Sequence, residues 1–329
     1  MTLDSDPTTE AGTLDDTASR IKQLQQELRK VVIGQDAVLD QMIIALLSSG
    51  HALLEGVPGT AKTLAVRAMA LALSCDAKRV QFTPDLMPSD IVGTNVFNLQ
   101  ANTFDLHRGP VFTDLLLADE INRAPAKTQS ALLEAMAERR CTIDGVTHQL
   151  SPFFTVFATQ NPIEYEGTYP LPEAQQDRFL LKIRIDYPAE VAERELLEAF
   201  HRGDPPDALQ PGTIESVCDA DDLAAMRQSM TQVQIEPAIM DYVLKLCRAT
   251  RNHEAILVGA GPRGSIALLT VAKARALVAG RDYVTPDDVV EMVEPVLGHR
   301  ITLTAESEIG GASVREVLRD LLDAQEVPR

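Results

Sequence analysis

The chain has 329 residues, with 30 Lys and Arg against 48 Asp and Glu, so its formal net charge is −18. That length points to two domains with a core that needs no disulfide or metal staple, and the acidic field disfavours duplex nucleic acid and anionic membrane surfaces while leaving room for a phosphate held by a local nest of N–H groups. The chain shows no apolar run of membrane-spanning length, no leader pattern in MTLDSDPTTE and no CxxC pair among Cys75, Cys141, Cys218 and Cys247, which predicts a cytoplasmic protein with reduced thiols and no membrane span.

Residues 1–18 are polar and acidic and are expected to be a disordered tail. From Ala18 the pattern turns helical, with Ile21, Leu24 and Leu28 on one face, and a second helix is expected over about Asp36–Ser48. Strand and helix then alternate. Strands are expected at His51–Glu55, Arg79–Thr83, Leu115–Ala118, Phe153–Thr159 and Leu180–Ile185, with helices over Lys62–Leu73 and Thr128–Arg139. This spacing predicts a five-stranded parallel sheet between crossover helices. Two β-hairpins interrupt it, at Asn95–Leu106 and at Cys141–Leu150, the second marked by Asp144-Gly145. After Tyr187-Pro188 the strand pattern stops, and helices are expected near 190–200, 221–230, 237–250, 263–278 and 286–293, with a helical tail near Ser313–Ala324. The predicted architecture is therefore α/β: a core over 19–188 and a small all-α unit over 189–329.

The segment Gly56-Val57-Pro58-Gly59-Thr60-Ala61-Lys62-Thr63 follows a strand and opens a helix, the context that a phosphate-binding loop needs. Glycines let successive N–H groups turn inward, and the helix N-terminus adds its dipole. Lys62 would reach the β- and γ-phosphates and the Thr63 hydroxyl would hold Mg²⁺. Ala61 stands where the last Gly of such a loop usually is, so it must take a negative φ or accept mild strain. The apolar run Leu115–Ala118 ends in Asp119-Glu120. Side chains diverge at a strand end, so Asp119 can face the metal shell while Glu120 orients and deprotonates a water. Asn161, after Thr159-Gln160, could position that water, or Asn161-Pro162 could be only a turn. Arg178 could cap or pair locally, or reach a neighbouring subunit's γ-phosphate; Arg263, opening a helix after Gly261-Pro262, could report the γ-phosphate or be a surface arginine. A GTPase reading would need an Asn-Lys-x-Asp tetrad, and the sequence has none.

Together, VVIGQDAV, LLEGVPGTAKT, LLLADEINRAPAKTQSALLEAM, FATQNPIEYEGTYPLPEAQQDRF and GAGPRGS, in order across 31–267, resemble the MoxR family of AAA+ ATPases. That family's phosphate loop also accepts Ala before the Lys. The resemblance implies an AAA+ P-loop core with β-hairpin insertions and a helical lid, ATP and Mg²⁺ as cofactors, and ATP hydrolysis between subunits of a homo-oligomer, expected to be a hexameric ring. It implies Walker A at Gly56–Thr63 with Leu64 beside it, Walker B at Asp119 and Glu120, and sensor 1 at Asn161. It further implies an arginine finger at Arg178, sensor 2 at Arg263, and Val32, Ile33 and Gly34 against the adenine. Arg123 also matches the family's motif. The implied output is chaperone-like remodelling or maturation of client complexes with a von Willebrand factor A domain partner. A nucleotide-gated scaffold with little turnover is the alternative. A DNA-translocating motor fits poorly, because neither hairpin segment holds a Lys or Arg.

Overall fold

The structure, a computed structural model, describes residues 13–57, 59–161, 168–203, 209–210 and 212–328. Two helices come first, α1 (Leu14–Arg29) and α2 (Asp36–Leu47). The alternating part follows: β1 (Ala52–Gly56), α3 (Lys62–Ala72), β2 (Ala77–Gln81), α4 (Pro88–Val92), β3 (Gly93–Asn98), β4 (Thr103–Arg108), β5 (Leu115–Asp119), α5 (Ala126–Glu138), β6 (Arg140–Ile143), β7 (Val146–Gln149), β8 (Thr155–Gln160), α6 (Glu173–Gln176) and β9 (Leu181–Ile185). The remainder comprises α7 (Glu190–Arg202), α8 (Ala220–Ser229), α9 (Pro237–Ala249), β10 (Ile256–Val258), α10 (Pro262–Val278), α11 (Pro286–Leu297), β11 (Thr302–Leu303), α12 (Ala305–Ile309) and α13 (Val314–Asp323).

Five strands form one parallel sheet in the order β2-β5-β8-β1-β9. The inner strands β1, β5 and β8 are buried nearly throughout, as their unbroken apolar runs require of a sheet covered on both faces. The edge strand β2 alternates instead, with Lys78 and Val80 half-buried on one face and Arg79 and Gln81 exposed on the other. On one side, α1, α2 and α3 share a continuous core with the later helices, running from Leu24 through Leu54 to Val271 and Leu297. On the other side, Phe82, Leu116, Leu132 and Phe154 anchor a second core beneath α4, α5 and the hairpins. Both expected hairpins are present, β3 with β4 and β6 with β7; Asp144 and Gly145 take φ values of 47° and 82°, the left-handed pair that a two-residue turn needs.

Two expectations are corrected. Residues 13–18 are not disordered, because α1 begins at Leu14. Thr13 caps it, accepting from the Asp16 N–H at 3.2 Å, and Asp15 and Asp16 lie in the first turn, where the helix dipole favours acids. Arg20 pairs with Asp16 at 3.1 Å and with Asp222 at 2.9 Å, tying α1 to α8. The other twelve residues of the expected tail lie outside the described residues. The second unit is also not all-α: β10 and β11 pair antiparallel, burying Ile256 and Leu303. These strands are too short to leave a periodic pattern, so only tertiary contact defines them. The later helices do not stand away from the core either. α10 packs on α1 and α2, and α11 packs on β9.

His51, just before β1, is buried and joins the two halves of the alternating part. Its Nε2–H donates to the Met136 carbonyl at 3.1 Å, and Nδ1 accepts from the Val156 N–H at 2.9 Å. A proton on Nδ1 would face that N–H, and burial pushes the imidazole pKa down to about 4. Burial likewise brings His299 down to about 3, with the Arg300 charge adding to it. A histidine depressed in the fold contributes stability that is complete above its unfolded value near 6.5 and is lost as pH falls toward the folded value. For His51 the loss is on the order of 3 kcal/mol once both values are passed. A side-chain NMR titration should therefore find two of the six histidines still neutral at pH 5. Ordinary titration of all six near pH 6.5 would contradict this.

Candidate functional site

The strands all point the same way, so the C-terminal ends of β5, β8 and β1 open along one edge. In open parallel sheets this edge, outside the strand ends, is where ligands bind. A cavity of about 570 Å³ lies there, lined by Gly59, Thr60, Ala61, Lys62, Thr63 and Leu64, by Arg67 and Arg79, and by Asp119, Glu120, Thr159, Gln160 and Asn161. Val31, Ile33 and Gln35 close it on one side, with Pro188 and the α7 residue Leu196. The volume is that of a small-molecule or cofactor site.

The loop after β1 is shaped by its own backbone. Gly56 ends the strand so close to β9 that a Cβ would stand 2.4 Å from the Ile185 carbonyl oxygen. At Gly59 φ is +83°, the left-handed region that favours glycine, and a Cβ there would meet nothing within 4 Å. Pro58 lies outside the described residues. The Thr60 hydroxyl donates to the Val57 carbonyl at 2.9 Å, and the Lys62 ammonium donates to the Gly56 and Val57 carbonyls at 2.6 and 2.9 Å. Burial pushes the Lys62 pKa down, while Asp119 and Glu120 push it back up. Ala61 caps α3 with φ +61° and ψ 18°, so the strained alternative is the one adopted.

The acidic pair is set by three neighbours. Thr159 on β8 donates its hydroxyl to Asp119 Oδ1 at 2.6 Å and accepts the Glu120 N–H at 2.8 Å. Glu120 takes φ +55°, and this left-handed step turns its side chain away from that of Asp119. Arg79 on β2 places Nη2 2.6 Å and Nε 3.2 Å from Asp119 Oδ2. Gln81, two residues on along the same strand face, donates to Glu120 Oε2 at 2.7 Å, and Arg123 Nε lies 3.0 Å from the same oxygen. Arg79, Gln81 and the double role of Thr159 are absent from the sequence-level reading. The only local signal is a pair of polar residues at i and i+2 on β2, and β9 carries the same pattern at Lys182 and Arg184 without joining the site.

The remaining expected residues divide. Asn161 is buried at the cavity wall and Ile33 lines it. Val32 does not: its side chain is 2 % exposed and sits in the core, so the alternation turns Val31 and Ile33 toward the cavity instead. Gly34, at φ +75°, lies against α7, where a Cβ would come within 2.5 Å of the Ala192 Cβ. Arg178 and Arg263 do not line the cavity. Arg178 is exposed and donates Nη1 to the Leu133 carbonyl at 2.9 Å. Arg263 is 77 % exposed and pairs with Asp177 at 3.3 Å. No helix among the described residues is long and apolar enough to cross a membrane.

Comparison with known proteins agrees with this geometry. Residues 51–181 match the model of the ATPase family associated with various cellular activities (AAA), and residues 248–321 match the AAA lid domain. Protein YeaC of Bacillus subtilis is 43% identical over 92% of this chain and 93% of its own length. Chaperone MoxR1 of Mycobacterium tuberculosis is also 43% identical, over 92% of this chain and 81% of its own, and protein MoxR of Paracoccus denitrificans is 34% identical over 88% and 91%. A crystal structure from Cytophaga hutchinsonii superposes with a TM-score of 0.87 at 40% identity, covering 95% of this chain and 96% of that one. With the phosphate loop, the acidic strand end and the helical unit in their places, this chain belongs to the MoxR family of AAA+ ATPases.

Proposed function

We propose that this protein hydrolyses ATP at the joints of a homo-oligomer, a hexameric ring, and uses the cycle to remodel client protein complexes together with a von Willebrand factor A domain partner. The observation that carries the first part is a division of labour. Lys62, Thr63, Asp119, Glu120 and Asn161 share one cavity, while the exposed arginines Arg178 and Arg263 stand outside it. A site so built lacks a basic group from its own second unit, and a neighbouring copy would supply it. The remodelling role rests on likeness to the M. tuberculosis relative, a chaperone.

The residues present suit ATP with Mg²⁺. The loop residues Gly59–Thr63 line the cavity at the start of α3, where a phosphate would be held, and a hydroxyl with a carboxylate is the oxygen set that a hard divalent cation takes. ATP would supply the phosphoryl group, with Mg²⁺ neutralising its charge. Lys62 would exchange its carbonyl partners for phosphate oxygens. Thr63 and Asp119 would hold the cation. Glu120 would accept a proton from a water that Asn161 helps to orient. Val31, Ile33 and Gly34 would receive the base. Arg178 and Arg263 of the next copy meet the γ-phosphate charge. The domain assignment that goes with this reading is a nucleotide-binding core up to residue 188 and a helical unit beyond it.

Arg178→Ala should bind ATP yet lose about 10³-fold or more in kcat. Mixing it with Lys62→Ala protein should restore part of the turnover in a phosphate-release assay. Wild-type turnover by Arg178→Ala alone would overturn the assignment between copies. Glu120→Gln should retain bound ATP and favour the assembled ring, read by size-exclusion chromatography with light scattering. Unchanged hydrolysis would remove Glu120 as the base. Ala61→Gly should keep nucleotide affinity and raise stability by about 1 kcal/mol in urea denaturation, since a left-handed non-glycine residue costs about 1–2 kcal/mol. A lower midpoint would show that position 61 is unstrained.

A further inference from the structure

The segment Asp177–Leu180, which joins α6 to β9 and carries Arg178, is held from the helical unit by two consecutive residues just after α11. Arg300 has a side chain only 5 % exposed. Its Nε donates to Asp177 Oδ1 at 2.9 Å, its Nη2 to the Phe179 carbonyl at 2.7 Å, and its Nη1 to the Leu180 carbonyl at 3.1 Å. It also bonds the Val296 carbonyl in the last turn of α11, the helix that precedes it. His299, buried as well, donates Nε2–H to the Phe179 carbonyl at 2.9 Å. Asp177 Oδ2 accepts Arg263 at 3.3 Å. The residues on both sides of Arg178 are thus fixed by groups 86 to 123 positions away in sequence, while the Arg178 side chain is left at the surface.

Burying a guanidinium costs several kcal/mol per ion unless its fork is satisfied, and an apolar residue of similar volume is often as stabilising. What an apolar residue could not do is fix four acceptors in one plane-defined arrangement. Phe179 is already fully buried and β9 already paired, so neither needs the fork to stay in place. The element that gains from the fork is the flanking Arg178.

We propose that Arg300, seconded by His299, is a positioning residue: it sets the backbone on either side of Arg178 so that this arginine is presented to the nucleotide cavity of a second copy, and through Asp177 it gives Arg178 and Arg263 a common support. The pose of the helical unit in one copy thereby governs the arginines offered to the next. This inference rests on the reading of Arg178 as acting between copies.

The test uses the full chain with Arg300→Lys, which keeps the charge and loses the fork, and with Asp177→Asn, a milder change at a partly exposed partner. Melting temperature and affinity for a fluorescent ADP analogue are measured first. Displacement of a catalytic group by about 1 Å costs about 10²-fold, so kcat should fall at least tenfold with KM within threefold. Adding Lys62→Ala protein, which carries an intact Arg178, should restore turnover to the variant's own cavities. Arg178→Ala combined with Arg300→Lys should be no slower than Arg178→Ala alone. Wild-type kcat in the folded variants, no rescue by Lys62→Ala, or additive loss in the double variant would each overturn the proposal. If Arg300→Lys does not fold, Asp177→Asn carries the same three criteria. If Arg178→Ala itself keeps wild-type turnover, the reading between copies fails; if it is impaired while Arg300→Lys is not, only the positioning role fails.

Discussion

The parallel pairing of β1 with β8 on one side and β9 on the other determines where each polar group of the site can stand. Leu54 lies opposite Thr159 and Ile183, and Glu55 opposite Gln160 and Arg184. Because β5 continues the same sheet beside β8, the register that aligns Leu117 with Phe157 also brings Thr159 within reach of Asp119. A slip by one residue would turn the Thr159 hydroxyl to the opposite face and leave the Glu120 N–H without its partner. The glycine at position 56 belongs to the same constraint, since β9 runs too close for a side chain there. The phosphate loop, the acidic pair and the polar end of β8 are therefore one consequence of strand order rather than three separate features.

What the sequence made legible is what short-range pattern encodes. The apolar runs of β1, β5 and β8 announce buried parallel strands, and Asp144-Gly145 announces a turn. The start of α1 was misplaced because Asp15 and Asp16 look like a solvated tail when their helix dipole, Thr13 and Arg20 are out of view. The resemblance carries Val32 over together with Ile33, because a matching motif does not say which way each side chain points, whereas the fold buries Val32 and turns Val31 and Ile33 to the cavity. Arg79, Gln81 and Arg300 escaped for a different reason. Their partners are Asp119, Glu120 and Asp177, and no local periodicity records a contact between such distant positions.

The acidity of the chain gives its arginines and lysines unusual weight. With 30 basic against 48 acidic residues, few cations are available, and most of those near the site face specific acceptors. Arg79 faces Asp119, Arg123 faces Glu120, Lys62 faces two carbonyls, and Arg263 shares Asp177 with Arg300. Exposed pairs such as Arg263 with Asp177 are worth little, at most about 1 kcal/mol, and exchange readily. Arg300, buried and bonded at every side, does not.

That contrast separates groups that can change partners from groups that hold the frame. Lys62 rests on neutral carbonyls that a polyanion would outcompete, since charge-assisted bonds to phosphate exceed them, while Arg79 and Arg263 reach out from exposed positions to the partly buried carboxylates of Asp119 and Asp177. Thr159, His51 and Arg300 instead join strands and helices distant in sequence, and releasing any of them would leave a buried polar group unsatisfied. Movable cations on an immovable support are what a nucleotide-driven cycle needs. The helical unit falls on the immovable side at Arg300 and on the movable side at Arg263. It is therefore tied to the Arg178 segment in two ways, by buried bonds at Arg300 and by an exposed pair at Arg263.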